Sequence, residues 1–293
     1  MSELTFGILG ALGSAVTWAS ISILAQDLAG RFTPAGINAF RSTVGGLAVL
    51  LGAVAAGLGG EIIRMPLWAA LMLWASILVG YAGGDTLFFE GMRRLGVTRA
   101  HTLSMVHPLL STVVGAWLLH EPVTPLRGVG IGLVLTGISL IVVTGAEAGP
   151  EQPGLRWQGV RFVLGAAVAW SAASVMLKAP LQVTSAATAT GVRHPVAGLA
   201  LWLTPWSRGT WAAVRQSGRR DARLLAAICV LSAVSPLLFT AGIKYGGVAI
   251  GTVLSTTSPL FTIPLEIVVL KRRPTARTIA GAVITVVGIV LMG

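Results

Sequence analysis

Of the chain's 293 residues, 54% are hydrophobic and 11% charged, and the mean hydropathy is +0.83. Soluble domains carry about 25% charged residues, so an ordinary cytosolic enzyme is excluded. The formal net charge of +11 does not point to nucleic acid, because the basic residues form short clusters between apolar spans and no continuous stripe.

Such clusters retain loops on the cytoplasmic side and meet anionic lipid headgroups. Cys229 is the single cysteine, which leaves no intramolecular disulfide, multi-cysteine metal site or Cys-x-x-Cys redox motif. No cofactor is expected.

Taken in chain order, ten apolar stretches of about 20 residues are predicted to span a membrane. They lie at 4–25, 34–58, 67–89, 98–119, 127–145, 157–178, 183–204, 223–243, 248–270 and 275–292. Met1, Ser2 and Glu3 precede the first without the positive n-region of a cleaved signal peptide, so that span is expected to remain in the mature protein. Thr184, Thr188, Thr190, Arg193 and His194 make the seventh stretch the most polar. The 37 glycines, spread through the spans, suit close helix packing in lipid. A hydrophilic linker from Glu147 to Arg156 contains Pro150, Pro153 and Gly154 and divides the chain into 1–149 and 150–293. The longest polar loop, Thr204 to Asp221, carries Trp206 and Trp211 as expected interfacial anchors.

The second half repeats the first. Leu12, Gly13, Ala15, Val16, Trp18 and Ser22 recur 152 positions later as Leu164, Gly165, Ala167, Val168, Trp170 and Ser174, and the same offset relates Arg41 to Arg193. At an offset of 151, Ser104, Pro108, Gly130 and Gly137 map onto Ser255, Pro259, Gly281 and Gly288. Five spans per half is odd, so the second half is expected to enter the membrane upside down. Charge tests this separately. Arg93, Arg94 and Arg99 crowd the third loop, whose counterpart holds Lys244. The second loop holds Arg64, against Arg208, Arg215, Arg219, Arg220 and Arg223 in its counterpart. The fourth holds Arg127, against Lys271, Arg272, Arg273 and Arg277. The bias swaps between halves, and it places the odd-numbered loops in the cytoplasm with both termini outside.

These residues resemble the drug/metabolite transporter superfamily, in its EamA-type branch of ten-helix carriers. The resemblance rests on Gly-x-x-x-x-Trp in each first helix (Gly13 to Trp18, Gly165 to Trp170) and on the arginine inside each second helix. It rests also on the block Pro108-Leu109, Leu119-His120-Glu121-Pro122, Gly130 and Gly137-Ile138. It covers essentially the whole chain and implies export or exchange of small metabolites, often amino acids. The halves have diverged: Arg272 stands where the first has Glu121, and Pro236 where it has Asp85.

A charge at mid-bilayer costs about 2.5–3.5 kcal/mol, so each must be paired, near water or functional. Asp85, beside Gly83 and Gly84, is read either as a site for a substrate ammonium or coupling proton, or as a buried partner of Arg41 or Arg94. Arg41 and Arg193 either anchor a carboxylate bidentately or snorkel and cap helix carbonyls. Glu266 either pairs with Arg193 or Lys244 or titrates. His101 and His107 are about 600° of helical turn apart and face different sides, which argues against a two-histidine metal site.

Ser104, His107 and Pro108 answer Ser255, Ser258 and Pro259. A proline frees the carbonyl four residues earlier, so the fourth and ninth helices are expected to wall a cavity, with Pro108 and Pro259 as hinges. Trp18 and Trp170, with Tyr81, form a candidate aromatic-walled pocket; the alternative is helix packing. The expected fold is therefore all-α integral membrane, ten helices as two inverted five-helix repeats around a central cavity.

The expected function is secondary export of amino acids with aromatic or bulky apolar side chains, or of similar metabolites, across a bacterial inner membrane by alternating access. Its site residues are Trp18, Trp170, Tyr81, Asp85, Ser104, His107, Ser255, Ser258 and Arg41. Export of hydrophobic cationic drugs is the alternative carrier reading. An intramembrane protease lacks an oriented third group beside Ser104 and His107, and a scaffold has no need of mid-span charges. The expected partners are a small-molecule substrate and lipid, with no nucleic acid; the chain is expected as a monomer, with a dimer the alternative.

Overall fold

A computed structural model describes residues 2–28, 30–95, 100, 103–104, 106–144, 153–258, 260–261 and 275–292, all helical or connecting among these. The helices are α1 (Glu3–Asp27), α2 (Pro34–Ala53), α3 (Gly59–Ile63), α4 (Leu67–Ile77), α5 (Thr86–Leu95) and α6 (Val106–Leu118). They continue with α7 (Pro125–Thr144), α8 (Pro153–Lys178), α9 (Ala186–Trp202), α10 (Thr210–Gln216), α11 (Arg219–Ser255) and α12 (Ala276–Met292). By length and hydropathy, 5 of the described helical segments suffice to cross a membrane: Glu3–Ala25, Pro34–Ile63, Leu67–Met92, Trp157–Gln182 and Arg219–Ser255. Val106–Leu118, Pro125–Leu140 and Ile279–Met292 are shorter apolar helices. Leu51, Trp117 and Val290 are 67%, 79% and 71% exposed, the outward apolar surface that a hydrocarbon solvent requires.

Local chemistry starts and breaks these helices. Thr33 caps α2 by accepting from the Gly36 N–H at 3.0 Å, with Pro34 in the first turn. Ser185, 152 residues on, caps α9 in the same way from the Thr188 N–H at 3.1 Å. Between α4 and α5 the chain widens into a π-helical stretch, Leu78–Asp85. That geometry concentrates at functional sites because it turns carbonyls and side chains out of register. One such carbonyl, that of Tyr81, accepts from the Asn38 amide at 2.9 Å.

The sequence pattern predicts separate eighth and ninth spans; the structure joins them in α11 across a single-residue break at Gly247 (φ 84°, ψ 170°). Only glycine adopts that conformation readily. The helix restarts because the Glu121 carboxylate accepts from the Val248 N–H at 2.8–2.9 Å, assisted by Lys178 at 3.6 Å. The expected hinge Pro259, along with His101 and Glu266, lies outside the described residues.

Helices of the two halves pack in antiparallel pairs. In α1–α11, Gly7 lies against Gly246 and Gly10 against Gly242, while Asp27 meets Arg220 at the other end. In α2–α9, Gly46 abuts His194 and Gly191 abuts Leu50; in α5–α8, Gly91 abuts Val163 and Gly159 abuts Leu95. In α7–α12, Gly130 abuts Gly288 and Gly137 abuts Thr285. The missing side chains let backbones approach, which is how helices associate in lipid.

One end of the bundle gathers Arg31–Asp221 at 2.5 Å and Arg220–Asp27 at 2.6 Å. The other gathers Glu61, which accepts from Ser185 and Thr188, together with the Glu121–Lys178 pair. There Lys244 donates to the Leu181 and Thr184 carbonyls.

Candidate substrate cavity

A cavity of about 140 Å³ opens between the halves. The first half contributes Trp18, Tyr81, Asp85, Ser104 and His107 to its wall, and the second contributes Trp170, Ser255 and Ser258. Eight of the nine residues expected from sequence thus meet at one place; the ninth, Arg41, stands behind the wall. Repeat-equivalent residues both line it: Trp18 with Trp170, Ser104 with Ser255, and His107 with Ser258. Phe88 and Phe239 form a fourth such pair. Sequence reasoning missed that pair, although the 151-residue offset that relates the serines also relates the phenylalanines. Ser14, Ser76 and Ser235 add hydroxyls that no repeat signal marked.

Arg41 and Asp85 are 1% and 3% exposed. Arg41 Nη2 donates to Asp85 Oδ2 at 2.5 Å, and its Nε donates to Asn38 Oδ1 at 2.9 Å. Trp170 Nε1 donates to Asp85 Oδ1 at 2.8 Å. Both carboxylate oxygens are therefore engaged. The guanidinium lies 5.3 Å from the Trp18 ring centroid and 5.0 Å from that of Tyr81, where ring faces stabilise a cation. Arg94, the other partner considered for Asp85, pairs instead with Glu90 at 2.6 Å.

Trp170 is placed by its neighbours. Its ring packs on Phe88 at 5.0 Å and edge-on to His107 at 5.6 Å. Gly84 leaves the space it occupies: a Cβ there would stand 2.7 Å from Trp170 Cδ1. The glycine beside Asp85 thus lets the indole reach the carboxylate.

Arg193 occupies the repeat position of Arg41 and lines the cavity at 3% exposure. Its Nη1 donates to Ser76 Oγ at 3.2 Å, and its Nε has no hydrogen-bond partner. Pro108 lies in α6, and the Thr112 hydroxyl donates to its carbonyl at 2.8 Å.

A helical bundle with an apolar outer face, enclosing a small aromatic cavity studded with hydroxyls and charge, defines a multi-pass membrane protein of the carrier class. The profile of the EamA-like transporter family matches the chain twice, at residues 5–143 and 157–293, and the chain belongs to that family.

The chain is 26% identical over 259 residues to the aromatic amino acid exporter YddG of Ancylobacter novellus, covering 79% of this chain and 85% of that protein. It is 29% identical over 139 residues to an uncharacterized transporter of Archaeoglobus fulgidus, covering 47% of this chain and 48% of the relative. A similar match at 29% identity over 139 residues is to the uncharacterized transporter YvbV of Bacillus subtilis, covering 46% and 44%. The chain thus spans about half the length of these last two relatives. A solved crystal structure superposes with a TM-score of 0.78 over 97% of this chain and 95% of that one, at 20% identity, which shows a shared fold.

Proposed function

We propose that the protein is a secondary exporter of amino acids with aromatic or bulky apolar side chains. In this reading two inverted five-helix repeats, 1–149 and 150–293, rock about a central cavity in a bacterial inner membrane. The observation that carries it is the wall of Trp18, Trp170, Phe88 and Phe239, with hydroxyls and a charge buried among them. At about 140 Å³ the cavity is comparable to an apolar one of about 150 Å³ that holds benzene. It is large enough to take an aromatic ring. The name of the Ancylobacter novellus relative points to the same substrate class.

The antiparallel pairing supports the inverted repeat. A twofold axis in the membrane plane exchanges the α1–α11 contact with the α8–α5 contact and maps α2–α9 and α7–α12 onto themselves, and those four pairings occur. Export of hydrophobic cations finds less support, because it needs Asp85 as a free anion, and Arg41 and Trp170 take both of its oxygens.

The test is counterflow in proteoliposomes preloaded with unlabelled amino acids, with radiolabelled phenylalanine, tryptophan, threonine and alanine outside and a tetraphenylphosphonium control. Saturable counterflow of the aromatic amino acids, weakened by Trp18→Ala, is the expected result. Counterflow of the lipophilic cation alone overturns the proposal.

A further inference from the structure

The two repeat-equivalent arginines have different electrostatic surroundings. Arg41 is neutralised by Asp85 at 2.5 Å. The position equivalent to Asp85 in the second half is Pro236, so Arg193 has no repeat counterpart of the carboxylate that neutralises Arg41. Among the described residues it makes no ion pair, and it takes one hydrogen bond, to the Ser76 hydroxyl. That hydroxyl donates onward to the Leu73 carbonyl at 2.8 Å, which fixes its lone pairs toward Arg193. A buried cation with an unfilled Nε is costly unless something anionic arrives. Arg193 faces the cavity, beside the aromatic wall.

A planar guanidinium presents parallel donors that match the two oxygens of a carboxylate. With Arg41 and Asp85 cancelling, the pair contributes no net charge, and Arg193 leaves the wall with one unpaired positive charge among the described residues.

We propose that Arg193 holds the carboxylate of the transported molecule, so that the cavity selects aromatic and bulky carboxylates and rejects the corresponding amides and amines. The substrate class rests on the export reading above. Arg41, its sequence twin, serves instead as a structural counterion behind the wall.

Wild-type counterflow of radiolabelled phenylalanine is competed with phenylalanine, phenylpyruvate, phenylalaninamide and phenethylamine. The two carboxylates are expected to compete, and the amide and amine to require roughly tenfold higher concentration or more, the scale of a lost charged hydrogen bond. Arg193→Gln raises KM by about the same factor and erases the preference, while Arg193→Lys recovers part of it. Equal competition by amide and acid in the wild type, which needs no variant to fold, overturns the anchor and leaves export standing.

A second arm is independent of transport. Tryptophan fluorescence of the purified protein is titrated with phenylacetate and with phenylacetamide. Saturable quenching by the carboxylate alone, lost in Arg193→Gln, supports the anchor even where no amino acid moves, and in that case only the export reading fails. Equal quenching, or none by either probe, overturns the anchor.

Discussion

Asp85 holds two donors from opposite halves of the chain, the Arg41 guanidinium at 2.5 Å and the Trp170 indole at 2.8 Å. Each is a separate test. Trp170→Phe keeps an aromatic wall and removes one donor from a buried carboxylate. It should lower stability by about 1–3 kcal/mol, read as a fall in melting temperature in detergent. Asp85→Ala strands a buried guanidinium and should cost about 3–5 kcal/mol, whereas adding Arg41→Met should recover most of it, because removing both charges leaves none unpaired. A double variant no more stable than Asp85→Ala would mean that the pair is not coupled.

At the scale of elements, two breaks shape the bundle. The π-helical stretch Leu78–Asp85 brings Tyr81 and Asp85 onto the cavity side of the third span, tied by Asn38. The break at Gly247 turns α11 back at the end of the bundle, with Glu121 capping the restart. A side chain at Gly247 meets both a forbidden φ and the Glu121 carboxylate, 3.1 Å from where a Cβ would sit. Gly247→Ala should therefore destabilise the protein by about 1–3 kcal/mol, measured by thermal unfolding. Glu121→Gln keeps a capping oxygen and gives up the Lys178 pair, so its loss should be well under half of that.

For the whole molecule, parity is the question. Asp27, Arg31, Arg220 and Asp221 meet at one end, and Glu61, Glu121, Lys178 and Lys244 at the other. The first group flanks odd-numbered loops and the second even-numbered ones, so the side-chain contacts sort the loops as alternating spans require. On the proposed ten-span topology, positive-inside counting expects the odd-numbered loops in the cytoplasm. In a Cys229→Ser background, a cysteine at Thr124 should react with a membrane-impermeant maleimide on intact cells, and one at Ser217 only after lysis. The reverse pattern would invert the orientation without touching the fold.

Hydropathy, duplicated motifs and swapped charge made a membrane-spanning helical carrier and its family legible in the chain. Repeat symmetry also picked out three pairs of residues that line the cavity, Trp18 and Trp170, Ser104 and Ser255, and His107 and Ser258, whereas Tyr81 and Asp85 stood out by residue type within an apolar span. The pairing of charges was not legible there. Arg41 and Arg193 look alike in sequence, and Asp85 was equally open to Arg94, since an ion pair is decided by a few ångströms between helices that share no sequence proximity. The single-residue turn at Gly247 was hidden for a related reason, as its cap, Glu121, comes from more than a hundred residues away. Sequence alone determined what must lie in lipid and what recurs, because those depend on composition and order along the chain. Tertiary structure decided which arginine is neutralised and which has no ion pair among the described residues, because that depends on which helices approach closely enough to share a carboxylate.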